Sequence, residues 1–130
     1  MIIDASALLA ILRAEPESER MAEAIASAES RLISAANFVE AAVVIDSGRD
    51  PLASRRFDRL ISRAAIQIEP VTRQQAEEAR LAYRDFGKGS GHPAQLNFGD
   101  CFAYALGKQR GEPLLFKGND FVRTDILAAI

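Results

Sequence analysis

The sequence predicts a three-layer α/β/α domain built on a central parallel sheet of four to five strands. Two observations lead there: short apolar runs alternate with segments of helical character, and the chain has the length and hydrophobic content of one core. At 130 residues, it can bury roughly two-thirds of its unfolded surface. A single domain over residues 1–130 is therefore expected. Hydrophobic residues make up 48% and charged residues 26%, which leaves no long segment too polar to fold.

Met1, Ile2 and Ile3 form an apolar run ending at Asp4, and the stretch from Ser6 to Leu12 favours a helix. Glu15, Pro16 and Glu17 break that helix and restart another over residues 16 to about 27. Proline suits a first helical turn, and acids there meet the positive end of the helix dipole. Residues 31–34 read as a second strand, after which Ser34 or Asn37 can cap a helix running through Glu40 to about Ser47. A turn over 48–51 leads into a helix carrying Leu52, Phe57, Leu60 and Ile61, and residues 65–68 alternate like a third strand.

Thr72 followed by Gln75 is a capping-box pattern, opening a helix with Ala76, Ala79, Tyr83 and Phe86 on one side. The glycine-rich residues 87–93 read as a mobile surface loop. Asn97 caps a helix from 98 to about 110, which Gly111, Glu112 and Pro113 end. Residues 114–116 form a fourth strand that enters a turn at Gly118, Asn119 and Asp120. The tail from 121 to 130 has room for a final strand or a helical turn.

Strands alternating with helices imply a parallel sheet covered on both faces. Sites in such sheets form beyond the carboxyl ends of the strands. Asp4 and Asp120 follow the first and last strands directly, while Glu40 and Asp100 lie in the opening turns of helices, so all four acids can share one edge. Each also has an ordinary role open to it: Asp100 as a first-turn acid, Asp120 as a turn former, Glu40 as a solvated helix residue. Asp4 is the sharpest, because a carboxylate directly after an apolar strand is costly to bury without a partner.

Four acids sharing a pocket repel one another unless a cation offsets the charge. Oxygen ligands without a cysteine and histidine set select Mg²⁺ or Mn²⁺ over Zn²⁺. Such an ion activates water against a phosphodiester, so the chemistry expected is metal-assisted hydrolysis.

The chain has 16 basic and 18 acidic residues, a formal net charge of −2. This argues against simple DNA binding through a bulk positive field, but not against a nuclease with an acidic metal site. The single Cys101 excludes an intramolecular disulfide and a cysteine-rich zinc site, as suits a reducing cytoplasmic setting. No apolar run reaches the ~20 residues that cross a bilayer, and Asp4 stands where a signal peptide carries positive charge. A cytoplasmic protein without membrane association is expected.

The segments 1–8, 34–40, 97–101 and 114–126 around the acids, together with the stretch from Gly87 to Cys101, carry a more specific pattern. Over essentially its whole length the chain resembles the PIN-domain nucleases, and within them the VapC-type toxins of bacterial toxin–antitoxin pairs. The resemblance implies a PIN-like fold and an endoribonuclease that cuts single-stranded regions of structured RNA, transfer or ribosomal. It also implies silencing by a cognate VapB-type antitoxin, a homodimer, and a heterotetramer or larger assembly with that antitoxin.

Carried over by motif, Asp4 and Asp100 would be the main Mg²⁺ ligands, Glu40 a third acid and Asp120 a fourth, with Asp125 a neighbouring acid. Ser6 and Asn97 match polar positions that order the site. Lys88, His92 and Lys117 are candidates for RNA phosphate contacts, and apolar residues on the early helices for a groove that receives an antitoxin helix.

Three rivals stand beside this reading. A haloacid-dehalogenase phosphatase needs a second aspartate two residues after the first, where this chain has Ser6. A response-regulator receiver needs an aspartate ending a central strand, but the third strand here ends at Glu69 and Pro70. A PIN-like scaffold that binds RNA without cutting it would not need all four acids.

Overall fold

The structure, a computed structural model, describes residues 1–130. Four short strands, β1 (Ile2–Ile3), β2 (Leu32–Ser34), β3 (Gln67–Glu69) and β4 (Leu114–Leu115), pair in parallel in the order β3-β2-β1-β4. Six helices connect them: α1 (Ala5–Leu12), α2 (Ser18–Ser27), α3 (Ala35–Asp46), α4 (Pro51–Arg63), α5 (Arg73–Phe86) and α6 (Phe98–Arg110).

Side chains alternate across a strand, and the register turns that alternation into two cores. Ile2 lies beside Leu32 and Leu114, and these three join Ala79, Ala82, Leu96, Ala103 and Leu106 on the α5–α6 side. Ile3, Ile33 and Leu115 face the other way, onto Leu8, Met21, Ile25, Ala41 and Phe57 of α1 to α4. Fully burying a leucine or isoleucine stabilises by about 1.5–3 kcal/mol, so a two-residue strand with both residues buried is well anchored. The result is the expected three-layer α/β/α arrangement.

Strand order positions the site. The chain lays down β1, β2 and β3 in one direction, then returns to place β4 on the opposite side of β1. The order reverses between β1 and β4, and open α/β sheets bind ligands beyond the carboxyl ends at such a switch.

Several element boundaries move for identifiable reasons. The second strand begins at Leu32, and the Arg31 guanidinium before it turns to the helix ends. It donates to the carbonyls of Ala26 (2.9 Å), Ala28 (3.2 Å) and Ala64 (2.9 Å), closing the ends of α2 and α4. The third strand spans Gln67–Glu69 rather than 65–68, since Ala65 turns with φ 50°. Ile66 is buried before the strand, while Ile68 is exposed on the sheet edge. The second helix starts at Ser18 rather than at Pro16.

Thr72 caps α5 as expected, its Oγ1 accepting from the Gln75 amide at 3.1 Å. The Gln75 side chain does not return the bond; it crosses to α6 and donates to Gln109 Oε1 at 2.6 Å. The inner stripe of α5 is therefore Gln75, Ala79 and Ala82, with Ala76 and Tyr83 exposed.

Residues 87–93, expected as a mobile loop, are tied at both ends. Lys88 N–H donates to the Leu96 carbonyl and Leu96 N–H to the Phe86 carbonyl, both at 2.9 Å. The tail contributes one bridge, Leu114 to Ala128, on the outer side of β4. Gly111 ends α6 with φ 63°, a left-handed cap that glycine adopts without a side-chain clash. Cys101 is buried, its thiol donating to the Asn97 carbonyl at 3.3 Å. No helix is long and apolar enough to cross a membrane.

Candidate active site

Asp4 caps α1 where the chain passes from the interior strand β1 into a helix. Its Oδ2 accepts from the Ser6 amide at 3.0 Å and the Ser6 hydroxyl at 2.5 Å. Ser6 Oγ in turn accepts from the main-chain N–H of Lys117 at 3.0 Å, so one hydroxyl joins the ends of β1 and β4. The residue is 4% exposed, and its other oxygen, Oδ1, is buried with no hydrogen-bond partner. Burial pushes the Asp4 carboxyl above the usual aspartate range despite the Ser6 bonds, with the Asp120 charge adding to the rise.

Glu40 reaches the edge from α3. Ser34 caps that helix, accepting from the Ala36 amide at 3.3 Å. Asn37 is fully buried one turn inside, where its Nδ2 donates to Glu40 Oε1 at 3.2 Å and to the Gly99 carbonyl at 2.9 Å. A Cβ at position 99 would lie 1.9 Å from Glu40 Oε2, so the Glu40 carboxylate occupies the space that any other residue would need. Burial raises the Glu40 carboxyl, and the nearby Asp4 charge raises it further.

Asp100 belongs to a full capping box on α6. Asn97 Oδ1 accepts from the Asp100 amide at 2.9 Å, and Asp100 Oδ2 accepts from the Asn97 amide at 3.0 Å. The ordinary reading of Asp100 as a first-turn acid is thus correct, and it coexists with a place in the acid group. Burial pushes its carboxyl up to about 7, with Asp4, Asp120 and Glu40 adding like-charge repulsion. Asp120 is exposed in the turn after β4 and joins the group through its charge.

The structure therefore brings Asp4, Glu40, Asp100 and Asp120 into one electrostatic neighbourhood at the β1/β4 switch. No three of them close into a ready-made ligand cage. A cation here would take one or two carboxylates and keep several waters, as Mg²⁺ commonly does.

Asp125 stands apart from the acids. It accepts from Tyr104 Oη at 2.6 Å and Lys108 Nζ at 2.9 Å, and the Tyr104 bond foremost holds its carboxyl below the usual range. The Lys117 ammonium pairs with Glu15 and, at 3.5 Å, with Glu17. His92 Nδ1 accepts from the Ala94 amide at 3.1 Å and its ring meets Phe86 edge-on, so the histidine helps to fold its own loop. Lys88 is exposed in the same loop. Ile11, Ala22, Ile25, Ala26, Leu60 and Ala64 line a groove along α1, α2 and α4.

Two residues of the site were not singled out from the sequence: Asn37, read only as a possible cap, and Gly99. Glycine in the first turn of a helix, where almost any residue is a better helix former, was the available signal.

The PIN domain family model matches residues 1–127, and the chain belongs to the PIN-domain family. "VapC ribonuclease Mb0625" of Mycobacterium bovis is 55% identical over 130 residues, covering 100% of this chain and 98% of that protein. "Ribonuclease VapC42" of Mycobacterium tuberculosis is 46% identical over 129 residues, covering 99% and 98%. This full-length identity places the chain in the VapC branch of the family. The crystal structure of Mycobacterium tuberculosis VapC20, described as a sarcin-ricin loop cleaving toxin, superposes with a TM-score of 0.73 at 17% identity. That match covers 97% of this chain and 95% of the other. A toxin–antitoxin complex from Klebsiella pneumoniae gives 0.70 at 16% identity, covering 92% and 88%. These two matches establish the shared fold.

Gly99→Ala should push the Glu40 carboxylate aside and break its bond from Asn37, destabilising the protein by about 0.5–1.5 kcal/mol, the net worth of one hydrogen bond. In a Glu40→Ala background the penalty should shrink, measured by urea unfolding; equal penalties in both backgrounds would mean that Glu40 does not set the glycine requirement. A second expectation concerns pH. Because the folded Asp100 carboxyl titrates near 7 rather than 3.8, its contribution to stability is full below 3.8 and is lost as pH rises through about 7. Thermal unfolding of metal-free protein should show the melting temperature falling across that window, and Asp100→Asn should flatten the slope.

Proposed function

We propose that the protein is the toxin of a type II toxin–antitoxin pair. In this reading it is a Mg²⁺-dependent endoribonuclease, with Mn²⁺ able to substitute, that hydrolyses phosphodiester bonds in transfer or ribosomal RNA in the cytoplasm. The observation that carries the reading is the unpartnered, buried Oδ1 of Asp4 within a group of four carboxylates. A buried carboxylate oxygen without a donor is unfavourable unless a cation completes it.

The donor set suits a hard divalent ion. Asp4 Oδ1 is free because Oδ2 alone takes both Ser6 bonds. Asp100 keeps an oxygen beyond the one in its capping bond. Asp4 and Asp100 would hold the ion, with Glu40 and Asp120 reaching it directly or through water. Bound there, Mg²⁺ supplies Lewis acidity toward water and toward the phosphodiester oxygens.

The protein's own residues do the positioning. Ser6 fixes the Asp4 rotamer while holding the β4 turn through Lys117 N–H. Asn97 fixes Asp100, and Asn37 fixes Glu40 against Gly99. Burial and repulsion raise these carboxyls, so a binding cation displaces their protons to solvent and its affinity increases with pH as they ionise.

The VapC relationship supports an antitoxin as partner, and a toxin–antitoxin complex from Klebsiella pneumoniae shares the fold. The apolar groove along α1, α2 and α4 offers it a surface of the right kind.

Purified protein should cut RNA only with Mg²⁺ or Mn²⁺, and Asp4→Asn or Asp100→Asn should abolish cutting with the fold retained by circular dichroism. Ser6→Ala should lower activity by about 10- to 100-fold, as loss of a ligand-orienting bond commonly does. Equal cleavage by wild type and both aspartate variants would sink the mechanism. In cells, expression alone should arrest growth and co-expression of the neighbouring gene should restore it; absence of arrest would favour a housekeeping nuclease.

A further inference from the structure

Among the large apolar side chains left in solvent near the acid group, such as Val39 beside Glu40, one is aromatic. Phe98, the first residue of α6, is 77% exposed. It stands between the capping Asn97 and the Gly99 that packs on Glu40, two residues before Asp100. Cα–Cβ bonds lean toward the N-terminus of a helix, so a first-turn side chain overhangs the helix end, toward the edge that carries the acids.

Phe102, one turn further on, braces the ring edge-to-face, with centroids 4.9 Å apart and planes at 75°. Phe102 is itself packed against the core, which gives Phe98 a fixed support on one side. Phe98 and Asp100 are about 200° apart around the helix axis, so the ring leaves α6 on the side away from the Asp100 carboxylate, and its place at the very start of the helix, next to Asn97, is what keeps it near the acid edge.

The charge balance of this edge gives the ring a purpose. An RNA strand brought here meets four carboxylates, and the nearest lysine by main-chain contact, Lys117, has its ammonium held by Glu15 and Glu17. Phosphate contacts alone are a poor source of affinity in such surroundings. A neutral contact to a base does not suffer that repulsion, and every base offers a π-face to an aromatic ring.

We infer that Phe98 is a specificity-determining residue that stacks the nucleobase of a nucleotide flanking the scissile phosphate in single-stranded RNA. The inference rests on the ribonuclease reading and adds the element that holds the strand. Unstacked bases are available in loops and single-stranded regions and not within a duplex, so the ring would also select against paired RNA.

The sequence contains no tryptophan, which makes the test direct. Phe98→Trp, built in the cleavage-deficient Asp4→Asn protein, carries one tryptophan that can be excited selectively, and a single-stranded oligoribonucleotide with Mg²⁺ should quench it saturably. An abasic oligomer of equal length should not. Leu127→Trp, 72% exposed beside the outer end of β4, should be unaffected by either. In the same background Phe98→Ala should weaken oligonucleotide binding by about tenfold, and Phe98→Tyr should preserve it.

Equal quenching by the intact and abasic oligomers would overturn the inference. So would a Phe98→Ala variant that binds RNA normally but dissociates in sedimentation, which would assign the ring to an interface between copies or to a protein partner. Wild-type protein that cuts RNA while Phe98→Trp stays unquenched would defeat this inference alone. Wild-type protein that neither binds nor cuts RNA would defeat the ribonuclease reading as well.

Discussion

Negative charge converges on the carboxyl edge of the sheet from four parts of the chain, and the mutual repulsion of those carboxylates is the constraint that their neighbours answer. Burial and like charge both act to protonate Asp4, Glu40 and Asp100. Each is held by a donor that is itself fixed: Ser6 by the Lys117 main chain, Asn97 by its place at the end of α6, Asn37 by the Gly99 carbonyl. Without those anchors the acids would rotate outward to solvent. With them, electrostatic strain is confined to one edge while the two apolar cores behind it carry the stability.

This division explains why backbone geometry matters as much as side-chain chemistry at the site. Gly99 brings α6 close enough to α3 for Asn37 to bond its carbonyl, and leaves a space that only the Glu40 carboxylate fills. The Asn97–Asp100 capping box makes one carboxylate serve two ends: it satisfies the helix terminus through Oδ2 and presents its remaining oxygen to the acid group. A functional group that also caps a helix is positioned by the same interaction that starts the helix.

The parts legible in the sequence were those set by local rules. Asp4 and Asp120 follow apolar runs, and Asn97 with Asp100 has the spacing of a cap, so their placement needed only strand-end and helix-start chemistry. What escaped was tertiary. The Asn37–Gly99 bond joins residues 62 apart, and no local pattern marks it. Gln75 looked like a returning cap partner for Thr72, yet its amide is drawn to Gln109, 34 residues away. The third strand shifted because β3 is the sheet edge, where Ile68 faces solvent and apolar alternation no longer reports burial. Lys117 looked like a free cation until its carboxylate partners, 102 and 100 residues upstream, were in place.

The position of β1 has a consequence for how the molecule comes into being. The strand that carries Asp4 is made first, yet one of its two neighbours is β4, and Ser6 is bonded to Lys117 across 111 residues. During synthesis the early helices can gather on β2 and β3, but the fourth wall of the site does not exist until residues near 120 have been added. Chains grow at roughly 5–20 residues per second, so several seconds separate the first acid from the last. A nascent chain therefore spends nearly all of its synthesis without an assembled site, which is complete only when β4 docks.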